Sequence, residues 1–333
     1  MFCLHPLNII QPFKSSFFLY SSYIFVGEQM KKIKIGIPRA FLYYRYYILW
    51  KTFFETLNCH IILSPETNKE IIEIGTKYSV DESCLSSKIY LGHIYSLIDK
   101  ADYILVPRIS DYGKNKKVCV KFNGLYDIVK NTFDKVNILT YNIENTKLHY
   151  EFIEYIKMGL KINKNIFKII YAYFLGKKKQ KNQEIINDIT QKRKLNNNKI
   201  NILLVSHPYN IYDKYISTPI ISYLEKNNIN IIYSDKLLKK TAIEYSKDLS
   251  NTLYWEYSKE LIGSISYYKE IYNGIIFLTT FPCGVDSLVN ELMIRKITKP
   301  ALNIIIDSNN SMVGLETRLE SFIDILKERK NNE

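Results

Sequence analysis

The chain is 333 residues long, 47% hydrophobic and 24% charged, with a formal net charge of +13. That balance excludes a disordered or collagen-like chain, and the length suggests about two domains. No two of its 12 glycines stand closer than nine residues, so it contains neither a G-x-G-x-x-G turn nor a P-loop; if this protein draws on ATP, another chain binds it.

Residues 1–30 read as an N-terminal extension outside the fold. The apolar run Phe17–Val26 is too short for a membrane span of about 20 residues. A second methionine, Met30, stands directly before the first strand-like run, and no other segment resembles a span. Over 31–150, an N-terminal lobe, short apolar runs alternate with helical patterns. Strands are predicted at Lys32–Pro38, Cys59–Ser64 and Tyr103–Ile109, and helices over Phe41–Leu57, Glu66–Gly75 and Ser83–Asp99.

Residues 151–198 form a basic, mostly helical linker. Between 161 and 199 eleven Lys or Arg face two acids, which places +9 of the +13 there. No nucleic-acid motif accompanies the run, so it reads as a solvated stretch rather than a nucleic-acid site. The C-terminal lobe, 199–330, repeats the alternation. Its strands are Asn201–Pro208, Asn230–Ser234, Gly274–Pro282 and Ala301–Asp307; its helices are Pro219–Lys226, Tyr254–Tyr272, Cys283–Lys296 and Leu315–Glu328. Continuous apolar strands between helices define an α/β fold. The expectation is two lobes, each a parallel Rossmann-like or flavodoxin-like sheet with flanking helices, facing across a cleft.

Ligands in such sheets bind beyond the carboxyl ends of the strands. Arg39, Arg108 and His207 fall at such ends and are the candidates for contacts with an anionic substrate or a cofactor. The bland alternative for each is a strand-end residue paired to backbone or carboxylate. Of the five cysteines, Cys3 lies in the extension and Cys59 at the edge of a strand. Cys84, Cys119 and Cys283 stand at loop or element-end positions. Cys84 and Cys283 open helices, where the helix dipole favours a thiolate, with Asp81 or Ser83 as the expected cap for the first. There is no C-x-x-C pair, which suits a reducing cytoplasm better than a disulfide scaffold. Spacing leaves three readings open: a few buried thiols packed as small hydrophobes, an iron–sulfur cluster, or a Cys₃His zinc site using His93 or His207.

At these residues the sequence resembles the uncharacterised domain that accompanies, and is often fused to, the ATP-dependent activase of 2-hydroxyacyl-CoA dehydratases, a domain itself similar to the iron–sulfur dehydratase subunits. The resemblance rests on IGIPRAFLYYRYYILWKTFFETLNC (Ile35–Cys59), VDESCLSSKIYLGH (Val80–His93), DYILVPRI (Asp102–Ile109), CVKFNGLYD (Cys119–Asp127), HPYNIYDKYISTP (His207–Pro219), FPCGVDSLVNEL (Phe281–Leu292) and GLETRLESFIDIL (Gly314–Leu326). It implies that Cys84, Cys119 and Cys283 jointly ligate one [4Fe–4S] cluster with its fourth iron open. It further implies that a separate ATP-dependent activase supplies a low-potential electron for radical dehydration or reduction of an acyl-CoA. A dimer, no membrane and an anaerobic cytoplasm belong to the same expectation. Val120 stands where the pattern would place a proline after the second cysteine, and Asp307–Gly314 replaces an acidic, His-containing stretch. The rival reading is a non-catalytic electron relay, scaffold or zinc-stabilised module partnering the activase.

Overall fold

A computed structural model describes residues 32–195, 199–308 and 312–332. The N-terminal extension with Cys3 lies outside the described residues, as do residues 309–311 of the stretch Asp307–Gly314. Lys32–Glu333 separate as one compact unit.

The first half runs β1 (Lys34–Ile37), α1 (Tyr43–Thr56), β2 (His60–Leu63), α2 (Lys69–Lys77), α3 (Leu85–Leu97), β3 (Tyr103–Leu105), β4 (Arg108–Asp111), α4 (Val120–Thr132), β5 (Ile138–Leu139) and β6 (Asn142–Glu144). Two helices follow, α5 (Glu151–Leu160) and the 29-residue α6 (Ile166–Lys194). The second half runs β7 (Asn201–Val205), α7 (Pro208–Ile211), α8 (Lys214–Lys226), β8 (Asn230–Tyr233), α9 (Lys239–Ser246), α10 (Glu256–Tyr267), β9 (Gly274–Thr280), α11 (Gly284–Ile294), β10 (Ala301–Ile306) and α12 (Met312–Asn332).

Two four-stranded sheets result, ordered β2-β1-β3-β5 and β10-β9-β7-β8, with every pairing parallel. Helices flank both, so this is an α/β fold with flavodoxin-like strand order in each half. The apolar runs explain the sheets: every residue of β7 and of β9 is buried, as central parallel strands require. In both halves the first and third strands are neighbours and the chain winds outward in opposite directions from them. The switch points, where such folds place ligands, are therefore β1/β3 and β7/β9.

Two predicted elements differ in detail. The strand expected over Tyr103–Ile109 is two strands in different sheets, because Pro107 has no N–H to continue a ladder; β4 pairs instead with β6. Helix α8 starts at Lys214 rather than Pro219, since the Asp213 carboxylate accepts from Tyr215 N–H and caps it. Pro219 rides inside the helix.

The two sheets meet at their carboxyl ends. Phe41, just after β1, stacks edge-on against Tyr209 of α7 at 5.2 Å. Leu85 N–H donates to Phe281 carbonyl at 2.8 Å. Lys117 exchanges backbone hydrogen bonds with Tyr254 and Glu256 at 3.0 and 2.7 Å. The basic stretch is a packed helix. Ile169, Ala172, Tyr173 and Gly176 of α6 are buried, and a Cβ on Gly176 would stand 2.7 Å from Leu49 of α1. Among the described residues, no helix is long and apolar enough to cross a membrane.

Candidate functional site

The chain leaves all four switch-point strands through a proline: Pro38, Pro107, Pro208 and Pro282. Proline's fixed φ and missing N–H stop the ladder there and turn the chain into the segments that hold Arg39, Arg108, His207 and Cys283. Three cysteines occupy the same local position on three helices. Cys84 is the N-cap of α3, Cys119 of α4 and Cys283 of α11. The expected Asp81 or Ser83 cap is absent: α3 starts at Leu85 with Cys84 itself in the cap position. The Ser83 hydroxyl is engaged by the Lys121 ammonium at 3.2 Å.

All three thiols are half-buried and free. Burial pushes Cys84 up to about 11, while Ser87 N–H and Lys121 pull the other way. Cys119 is raised by burial against Lys121. Cys283 rises further, from burial and then the neighbouring Asp286 carboxylate. The thiols also share one field: Cys119 raises the cost of ionising Cys84, and Cys283 feels both. Three separated segments, carrying residues 84, 119 and 283, thus converge. What the arrangement offers is three neutral thiols beside three helix starts. A bound cation would convert them to thiolates with release of their protons.

Around them lies a polar shell. The Ser86 hydroxyl bonds Asn210 and Thr280 at 3.0 and 2.9 Å, fixing the Cys84 loop to the end of β9. The Asp286 carboxylate, in the first turn of α11, meets His207 at 3.0 Å and accepts from Thr279 at 3.1 Å. Burial opposes its charge, but His207, Thr279 and Cys283 more than offset this and hold its carboxyl below the usual range. His207 stacks on Tyr209 at 5.0 Å. The Tyr209 phenol is raised by burial and then by Asp286 and all three thiols, which places it in the same pocket of charge.

His207 therefore reaches the site through Asp286. Arg39 and Arg108 end elsewhere: Arg39 lies 3.7 Å from Glu66, and Arg108 3.1 Å from Asp127 with Nε donating to Asn123. His93 is buried beside Thr67 at 3.0 Å. Thr67 gives its own proton to Asp213, so His93 Nε2 is the donor. Burial, then Arg39, lowers the His93 pKa to about 3. Among the described residues no group of three or more His, Cys, Asp or Glu stands close enough to hold a single metal ion. Sequence reasoning missed Tyr209, Asp286 and Lys121. Only Asp286 left a signal, as an acid in the first turn of a helix opened by Cys283.

The fold and the site define an α/β protein of two parallel sheets with cysteine-capped helices at their joined carboxyl ends. The sequence model of the family described as CoA enzyme activase uncharacterised domain (DUF2229) matches residues 34–237, more than half of the chain. The chain belongs to that family. Cys84 and Cys119 lie in the matched stretch and Cys283 beyond it. No curated protein matches. Among solved structures, the SBP FpvC of P. aeruginosa in complex with a Ni2+ ion aligns over 91% of this chain and 98% of its own. At 9% identity and a TM-score of 0.25, that likeness carries no argument.

Proposed function

We propose that Cys84, Cys119 and Cys283 together hold one [4Fe–4S] cluster, and that the protein serves the redox activation of CoA-dependent enzymes. One observation carries the reading: three cysteines from separate segments each cap a separate helix, and their thiols share one electrostatic environment. A lone zinc ion would need its sulfurs roughly 3.8 Å apart, from Zn–S bonds of about 2.3 Å. A cluster carries its ligands on different iron atoms and so accepts wider spacing. When bound, the cluster supplies low-potential one-electron chemistry. The chain's own groups then act on their surroundings. First-turn N–H groups of α3, α4 and α11 and the Lys121 ammonium offset thiolate charge, and Asp286 orients His207 against Tyr209.

The electron source under this reading is a separate ATP-dependent activase, since the chain has no phosphate loop. Val120 beside Cys119 is 79% exposed and Phe281 beside Cys283 is 54% exposed, an apolar rim that suits such a partner. An acyl-CoA is the substrate class of the dehydratase reading, and a reducing, anaerobic cytoplasm the setting. A second reading, an electron relay without turnover, is favoured by Arg39 and Arg108. Both guanidiniums are tied to carboxylates rather than presented to an anion.

Anaerobic purification with iron, sulfide and absorption measurements tests the cluster. Near four iron atoms per chain are expected, lost on Cys84→Ala, Cys119→Ala or Cys283→Ala with the circular dichroism unchanged. A zinc-loaded or metal-free protein, or a cluster indifferent to all three substitutions, refutes the assignment. Turnover of a 2-hydroxyacyl-CoA with an activase then separates enzyme from relay.

A further inference from the structure

Helix α6 presents a stripe that the fold leaves uncovered. Its inner side packs on α1 and the core. On the opposite side stand Phe167, Tyr171, Phe174, Lys178, Ile185 and Ile189. At 3.6 residues per turn these six fall within an arc of about 60° and span about 33 Å. The apolar five are 81, 62, 58, 36 and 43% exposed. They divide into an aromatic end and an isoleucine end, with Lys178 midway and Lys181 one turn further on. Lys177 is already paired with Glu151 and Lys192 with Asp188. Lys178 and Lys181 are exposed and, among the described residues, have no carboxylate within ion-pairing distance.

We propose that this stripe is a docking seam for a helix of another protein, apolar at both ends and acidic at its centre. Helix pairing buries apolar residues at such spacings, and the central lysines select the partner by charge. A second copy of this chain fits badly. The midpoint of Phe167 and Ile189 is Lys178, so a two-fold antiparallel or in-register parallel pairing sets Lys178 against itself. A bilayer fits badly too, because a helix lying in a membrane surface keeps its apolar face continuous and its lysines on the polar face. Here they interrupt the stripe.

The seam does not depend on any metal. Its test uses the intact chain and two fluorescent synthetic helical peptides of about 24 residues. Both carry leucines opposite the two apolar ends; one has glutamates at its centre and the other lysines. The glutamate peptide is expected to bind about tenfold or more tightly than the lysine peptide. Phe167→Ser with Tyr171→Ser weakens it about tenfold or more, and Lys178→Glu with Lys181→Glu reverses the preference. All four positions are exposed, and unchanged circular dichroism confirms folding. Equal binding of both peptides, binding of neither, or binding untouched by the substitutions overturns the proposal. So does a dimer of the chain that Phe167→Ser dissolves, or sedimentation with phosphatidylserine vesicles that depends on Phe167 and Tyr171.

Discussion

Asp235 shows how burial and charge act on one residue. Burial pushes its carboxyl up to about 6, against the Tyr212 hydroxyl that bonds it at 3.1 Å and the nearby Lys236. The folded state therefore holds this proton more tightly than the unfolded chain, whose Asp titrates near 3.9. Below that value both states are protonated and the residue is neutral for stability. As pH rises from about 4 to about 6 the folded state alone keeps the proton, so stability falls with rising pH, by on the order of 2 kcal/mol. Asp235→Asn keeps an acceptor for Tyr212 and removes the titration. Urea unfolding at about pH 4 and about pH 7 should show the variant gaining on the wild type by that amount; a pH-independent difference contradicts the buried-carboxylate account. Sequence could not show this residue: nothing in YSDKL announces that Tyr212, 23 residues earlier, will cover the carboxylate.

At the scale of elements, α2 and α3 cross where neither tolerates a side chain. A Cβ on Gly92 would stand 1.9 Å from the Ile71 carbonyl, and one on Gly75 1.9 Å from the Lys88 carbonyl. Backbone cannot yield as a side-chain end would, so Gly92→Ala should cost about 3 kcal/mol. It should also disturb the helix that presents Cys84. Gly124, inside α4, meets only the far end of Ile128 at 3.7 Å. Gly124→Ala should stabilise by about 0.5–1 kcal/mol through backbone entropy alone. Denaturation midpoints of the two variants should move in opposite directions, and a shared direction would mean the helix crossing is looser than described. The glycines are visible in the sequence, but whether one is a contact or a defect depends on its neighbour. Helix α4 itself is hidden by Gly124 and by the basic turn before Cys119, which weaken its helical pattern.

For the whole molecule, the joint between the halves rests on Arg45. From α1 its guanidinium pairs with Glu260 of α10 and lies 4.3 Å over the ring of Tyr257. Glu260 also meets Lys239 at 3.2 Å. Tyr257 closes a ring of three hydroxyls with Tyr46 and Tyr112, at 2.7 to 3.2 Å. Removing the guanidinium leaves the buried Glu260 carboxylate to Lys239 alone, so Arg45→Ala should cost about 2 kcal/mol in urea unfolding. A loss under about 1 kcal/mol would show the joint to be held by the aromatics instead.

The sequence by itself determined the class of fold and the ingredients of the site. Apolar runs that alternate with helical periodicity commit the chain to buried parallel strands, because only helices on both faces can cover them. Scattered glycines exclude a phosphate loop at any tertiary arrangement, and an internal strand end is visible as an apolar run stopped by proline. Only the tertiary structure decided which strand-end residues meet. Arg39, Arg108 and His207 looked alike in sequence, yet the two arginines turn to Glu66 and Asp127 while His207 joins Asp286, 79 residues away. Cys84, Cys119 and Cys283 came to share one electrostatic environment because the α2–α3 loop meets both the start of α4 and the end of β9, and Tyr209 came with them. Local pattern is set by covalent spacing, whereas the company a side chain keeps is set by how whole sheets pack.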